Sequence, residues 1–171
     1  MDDYPRVVIG SPLGMLTLAS NGKSLTELQL TKPQETTRVM GHQELPVFAE
    51  TCRWLDHYFA GEHPGFLPPL APPGTPFQQK VWRELLTIPY GQTASYGDIA
   101  RRIGCRSAQA IGQAVHRNPI AILIPCHRVI GADGSLTGYA AGLEVKRKLL
   151  WLEQAIKQNT KNNVSLPLEK L

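Results

Sequence analysis

A chain of 171 residues that is 42% hydrophobic and 19% charged has the composition of a soluble globular protein, enough for one ordinary domain or two small ones. Cys52, Cys105 and Cys126 are odd in number and form no C-x-x-C pair, so neither a disulfide framework nor a zinc knuckle is indicated, and the acidic start Met1-Asp2-Asp3-Tyr4, followed by only a short apolar stretch, leads us to expect no signal peptide or membrane span. Charge is divided: residues 1–74 hold five Lys/Arg against eight Asp/Glu and residues 75–171 thirteen against six, so a net of −3 precedes a net of +7, which fits either a polyanion partner for the second part or a dispersed solvated surface.

Val7-Val8-Ile9, Met15-Leu16-Thr17-Leu18 and Leu25 to Leu30 are β-type runs parted by Ser11-Pro12-Leu13-Gly14 and Asn21-Gly22, which predicts a small antiparallel meander. Phe48, Cys52, Leu55 and Phe59 then recur at helical spacing before Gly61, making Cys52 a core thiol. Residues 1–63 are thus expected as an N-terminal α/β subdomain. Residues 64–74, crowded with prolines and without a period, read as an extended linker.

The third part, residues 75–158, reads as mainly helical. Thr75-Pro76-Phe77-Gln78 is a capping box with proline at the first helical position, and the helix it opens is expected to bury Phe77, Val81 and Leu85. Ser95, with Asp98 as reciprocal acid, caps a short helix from Tyr96 to Ile103; Ser107 caps a second, running to about Arg117. Joined by Gly104-Cys105-Arg106, the two form a helix-turn-helix candidate with Ala110, Ile111, Ala114 and Val115 inward and Gln109, Gln113 and His116 outward, a pattern that also suits a plain core hairpin. A last helix begins near Glu144, with Val145, Leu149, Leu152 and Ile156 as its stripe and Leu150 beside it; residues 159–171 read as a flexible tail.

Chemistry concentrates at Pro125-Cys126-His127-Arg128, directly after the apolar run Ile120 to Ile124. A thiol beside an imidazole can form a thiolate near neutral pH and act as a nucleophile; alone, such a cysteine also reads as a small buried hydrophobe. At 100° per residue Glu153 falls inside the apolar stripe of the last helix, where an acid needs a partner. His127 is one candidate; the others are an arginine or an escape to solvent.

Pro125-Cys126-His127-Arg128-Val129, with Gly131, Gly138-Tyr139 and the preceding Arg117-Asn118-Pro119, resembles the O6-alkylguanine-DNA alkyltransferase family over Thr75 to about Glu153. The resemblance implies an α/β protein that flips O6-alkylguanine out of duplex DNA and moves the alkyl group irreversibly to its own Cys126, one lesion per molecule and without cofactor or metal. It implies that His127 takes the thiol proton through a bridging water, that Glu153 orients the imidazole, that Asn118 buttresses the turn beneath the site and that Tyr96 crowds the phosphate backbone and donates to guanine N3. Val129, Tyr139, Ala140 and Ala141 would line the base pocket. Ser95, Tyr96, Gln109, Gln113, His116, Arg117 and Arg128 would face DNA entered from its minor groove, Arg128 being a family position that serves structure or the phosphates.

The chain departs from the family pattern at Gln109, where an arginine enters the base stack, and at Ala141, where glycine is common and the extra methyl would narrow the pocket. A monomer in a reducing cytoplasm is expected. The rival readings are a non-catalytic alkyl-lesion sensor, which would lack Cys126, a DNA-binding regulator of the same fold, and a thiol hydrolase. His42, His57 and His63 with Cys52 form no convincing metal-ligand set.

Overall fold

The computed structural model describes residues 4–31 and 45–154. The chain divides between Pro73 and Gly74 into two compact units of a mixed α/β protein. Among the described residues no helix is long and apolar enough to cross a membrane.

In the first unit, β1 (Arg6–Ser11), β2 (Gly14–Ser20) and β3 (Leu25–Leu30) form an antiparallel sheet in the order β1-β2-β3, with Val7 opposite Leu18 and Leu16 opposite Leu30. Val7, Leu16, Leu18 and Leu28 are buried and adjacent across the sheet, so alternation sets one face against a core; Leu25, beyond a register shift at Ala19/Ser20, is buried as well. Helix α1 (Pro46–Phe59) buries Val47, Phe48, Thr51, Trp54, Leu55 and Tyr58, with the Trp54 and Tyr58 rings stacked at 5.1 Å. This corrects the expected face: the two large aromatics rotate the helix so that Cys52 lies half-buried at its edge, lining a cavity of about 290 Å³ with Asp56 and Phe59. The proline-rich stretch is not a free connection; Leu25 donates to Pro69 and accepts from Ala71, both at 2.8 Å, placing Leu70 as a parallel bridge beside β3.

The second unit starts with α2 (Pro76–Leu85), whose Thr75/Gln78 capping box forms as its sequence requires. It buries Val81, Trp82 and Leu85, but Phe77 is exposed; Trp82, on a different side of the helix, is buried instead and donates its indole N–H to the Ala114 carbonyl at 2.9 Å. Helices α3 (Tyr96–Ile103) and α4 (Ala108–His116) are capped by Ser95 with Asp98 and by Ser107, and α2 packs on both. Gly104 ends α3 in the left-handed region at φ 71°, which turns the chain tightly enough for α4 to lie across α3.

Two features position the site. β4 (Ala94–Ser95) pairs in parallel with β5 (Val129–Ile130), joining the N-terminus of α3 to the turn after Cys126. Helix α5 (Leu143–Leu152) buries Lys146, Leu149, Leu150 and Leu152 and ends with Glu153 as its C-cap residue. The expected continuation through Ile156 and Lys157, and the tail, lie outside the described residues.

Candidate active site

The apolar run before the cysteine is a buried knot of turns, with Ile122 at φ 71°. A β-branched residue in the left-handed region costs on the order of 1–3 kcal/mol, so its surroundings must hold it there. Asn118 does so from one side: its amide donates to the Ile124 carbonyl at 2.9 Å and its carbonyl oxygen accepts from Ile120 N–H at 3.0 Å. Cys126, His127 and Arg128 follow as one turn of 3₁₀ helix, all buried.

His127 is wholly buried and its Nε2 is bonded to Glu153 Oε2. A carboxylate only accepts, so Nε2 carries the hydrogen and the imidazole lone pair is on Nδ1. Glu153 Oε1 accepts from Arg128 Nε at 2.7 Å and from Gly91 N–H at 3.2 Å. Gly91 sits at φ 78°, and a Cβ there would lie 3.0 Å from the Glu153 carbonyl oxygen, so the close approach requires glycine. The question left open at Glu153 is thereby answered twice over: it engages both the histidine and an arginine.

The electrostatics follow from this geometry. Glu153, though buried, is held ionised at about 2 by its hydrogen bonds from His127 and Arg128 and by the Arg128 charge, which together outweigh burial. Burial pushes His127 below its ordinary value, keeping the resting ring neutral. Burial likewise pushes the Cys126 thiol up, opposed by an Asn118 hydrogen bond and by the charge of Lys146. Burial thus favours the neutral thiol at rest, so formation of the thiolate expected from the Cys126-His127 pair is coupled to proton removal.

Arg128, expected toward DNA, points inward; besides Glu153 it donates through Nη1 to the Ile88 carbonyl at 2.8 Å, because a buried carboxylate demands a counter-charge. Tyr139 is half-buried, and its phenol is held well above the ordinary range by burial and then by the charge and hydrogen bond of Cys126. Tyr96 donates its hydroxyl to the Thr137 carbonyl at 3.0 Å, and Val129 is buried at the start of β5. Ala140 is exposed and Ala141 half-buried. Gln109, Gln113, His116 and Arg117 are all exposed on or just after α4, while the Ser95 hydroxyl is spent on its cap.

Sequence reasoning missed Lys146, which is fully buried with Nζ 2.5 Å from the Val129 carbonyl and 2.8 Å from that of Thr137. The signal was present: 146, 149, 150 and 153 follow the i, i+3, i+4, i+7 rule that singled out Glu153.

Residues 76–155 match the family model for the 6-O-methylguanine DNA methyltransferase DNA-binding domain, and residues 6–72 match that for the ribonuclease-like domain of the same proteins. The chain is 53% identical over 146 residues to the methylated-DNA--protein-cysteine methyltransferase of Mycobacterium leprae, covering 84% of this chain and 88% of that one. It is 47% identical to the protein of the same name from Methanosarcina barkeri, over 86% and 95% of the two chains. Among solved structures it resembles Mycobacterium tuberculosis OGT in complex with DNA, with a TM-score of 0.78, 48% identity and coverage of 88% and 92%.

Proposed function

Because the chain belongs to the 6-O-methylguanine DNA methyltransferase family, we propose that it repairs DNA by drawing O6-alkylguanine out of the duplex and transferring the alkyl group to Cys126. The observation that carries the reading is the buried Cys126-His127 pair with Glu153 on the far nitrogen of the ring.

Since Nε2 faces Glu153, the thiol proton passes to Nδ1 of His127 through a bridging water. The sulfur attacks the alkyl carbon in line with the C–O6 bond; a C–S bond forms as the C–O6 bond breaks, and the electron pair leaves on the purine. Tyr96 donates to N3 as that charge gathers, and the proton lost by the thiol is returned to the guanine. Glu153 stabilises the transient imidazolium, with Arg128 keeping the carboxylate ionised. The product is a thioether, a poor leaving group, and each molecule acts once.

Gln109, Gln113, His116 and Arg117 on the exposed face of α4 meet the minor groove, and the net +7 of residues 75–171 meets the phosphates. Val129, Tyr139, Ala140 and Ala141 border the base. The protein works as a monomer in a reducing cytoplasm. Incubation with an oligonucleotide carrying labelled O6-methylguanine should place one equivalent of label on Cys126, and Cys126→Ser should take none while still binding the duplex. Label released to water, or full repair by Cys126→Ser, would refute the assignment.

A further inference from the structure

The turn between α2 and β4 holds the Arg128–Glu153 pair at both of its ends. The Ile88 carbonyl accepts from Arg128 Nη1 at 2.8 Å, and the Gly91 N–H donates to Glu153 Oε1 at 3.2 Å. Between these two contacts the Gln92 N–H closes back onto the Pro89 carbonyl at 3.1 Å, with Gly91 third in the turn at φ 78°, the conformation that asks for glycine there. Tyr90 is the other central residue of that turn. Its half-buried ring faces the Arg128 guanidinium, whose carbon lies 5.8 Å from the ring centre, within reach of a cation–π contact. Of the two charged partners only Arg128 is touched by solvent, its side chain 10% exposed against 0% for Glu153. The ring therefore lies against the one member of the pair that water reaches.

Resting on the alkyl-transfer reading above, we propose that Tyr90 is a positioning residue of that reaction: its ring shields the Arg128 guanidinium from water and so keeps Glu153 fixed on His127. An ion pair that water enters is screened and its side chains take several geometries, whereas a sealed pair holds one. Glu153 Oε2 keeps the hydrogen of His127 on Nε2 and the lone pair on Nδ1, so a carboxylate free to turn would weaken the base that receives the thiol proton. Charge agrees with contact: burial raises the Tyr90 phenol, the Glu153 carboxylate raises it further and Arg128 opposes them, so Tyr90 stands in the field of both partners. Past the turn, Ala94 and Ser95 pair with Val129 and Ile130 and lead directly into Tyr96. The chain from Ile88 to Ser95 thus wraps the segment that carries the nucleophile, with Tyr90 at the carboxylate and Tyr96 just past the other end.

The test is single-turnover transfer from an O6-methylguanine duplex over a range of protein concentrations, comparing wild type, Tyr90→Ala and Tyr90→Phe. General-base assistance contributes roughly 10²–10⁴-fold, and loosening the carboxylate without removing it should cost Tyr90→Ala a part of that, about tenfold in the limiting rate. The protein concentration at half-maximal rate should stay within about twofold of wild type, because the loss falls on the chemical step and not on DNA binding. Tyr90→Phe keeps the ring face and should recover the limiting rate to within about twofold. Should Tyr90→Ala fold poorly, Tyr90→Ser, a residue suited to turns, should show the same loss. Equal limiting rates, a Tyr90→Phe protein as slow as Tyr90→Ala, or a loss seen only in the concentration at half-maximal rate would each overturn the proposal. Absence of transfer in wild type would instead overturn the alkyl-transfer reading itself.

Discussion

Replacing Glu153 by glutamine keeps the shape of the side chain and removes its charge, which separates orientation from ionisation in one substitution. In the wild type, Oε1 accepts from Arg128 and Gly91 while Oε2 accepts from His127 Nε2. The amide of Glu153→Gln has only one acceptor, and two donors require it at the Arg128 end. Its NH2 then faces His127, forcing Nε2 to become the acceptor and placing the ring hydrogen on Nδ1, where the thiol proton must arrive. General-base assistance should be lost, lowering single-turnover transfer by roughly 10²–10⁴-fold. Arg128, only 8% exposed, would also lose its counter-charge. Breaking one side of a buried ion pair costs about 3–5 kcal/mol, or on the order of 10 °C in melting temperature for a chain of this size. Urea denaturation at pH 7 and quenched-flow transfer from an O6-methylguanine duplex measure the two effects separately. A Glu153→Gln protein with wild-type transfer and stability within about 1 kcal/mol of wild type would refute both the tautomer and the ion-pair reasoning.

Acid should destabilise the fold in two stages. His127 is kept neutral by burial, so the unfolded chain binds its proton first and stability falls as pH drops below the ordinary histidine value of 6.5; Glu153, held at about 2 against an ordinary 4.5, adds a loss of about 3 kcal/mol as pH falls through that interval. Denaturant titrations from pH 8 to 3 should show stability falling throughout, and His127→Gln should flatten the upper stage. Asn118→Ala orphans the Ile124 carbonyl and the Ile120 N–H, each costing about 1–3 kcal/mol, and releases the strained Ile122; urea midpoints and transfer rate should both fall. Gln109→Ala should weaken binding to lesion-bearing duplex or slow repair, whereas Gln109→Arg should tighten it and steepen the salt dependence by about one counterion; unchanged kinetics in Gln109→Ala would deny this residue a part in filling the base stack.

Much of the second unit is readable along the chain because its signals are local. The Thr75/Gln78 and Ser95/Asp98 boxes and the Ser107 cap act across three residues, and Gly104 supplies the backbone conformation its turn needs. Periodicity fails where competing side chains decide a face: Trp54 and Tyr58 displace Cys52, and α2 turns Trp82 inward while leaving Phe77 exposed. It is silent on β4 and β5, whose two residues each are too short to show a period.

The amino-acid order by itself determined which groups can react, placing thiol and imidazole side by side and an acid on a helix face that is turned inward. Only the tertiary structure decided what those groups are when they meet. Burial makes the sulfur a resting thiol, a single carboxylate fixes the histidine tautomer while turning Arg128 inward, and Lys146 is drawn into the same interior. The reason is physical: the energy of a charge depends on which charges, dipoles and how much water surround it in space, and those surroundings come from separate segments of the chain, as Glu153 does for His127, 26 residues away.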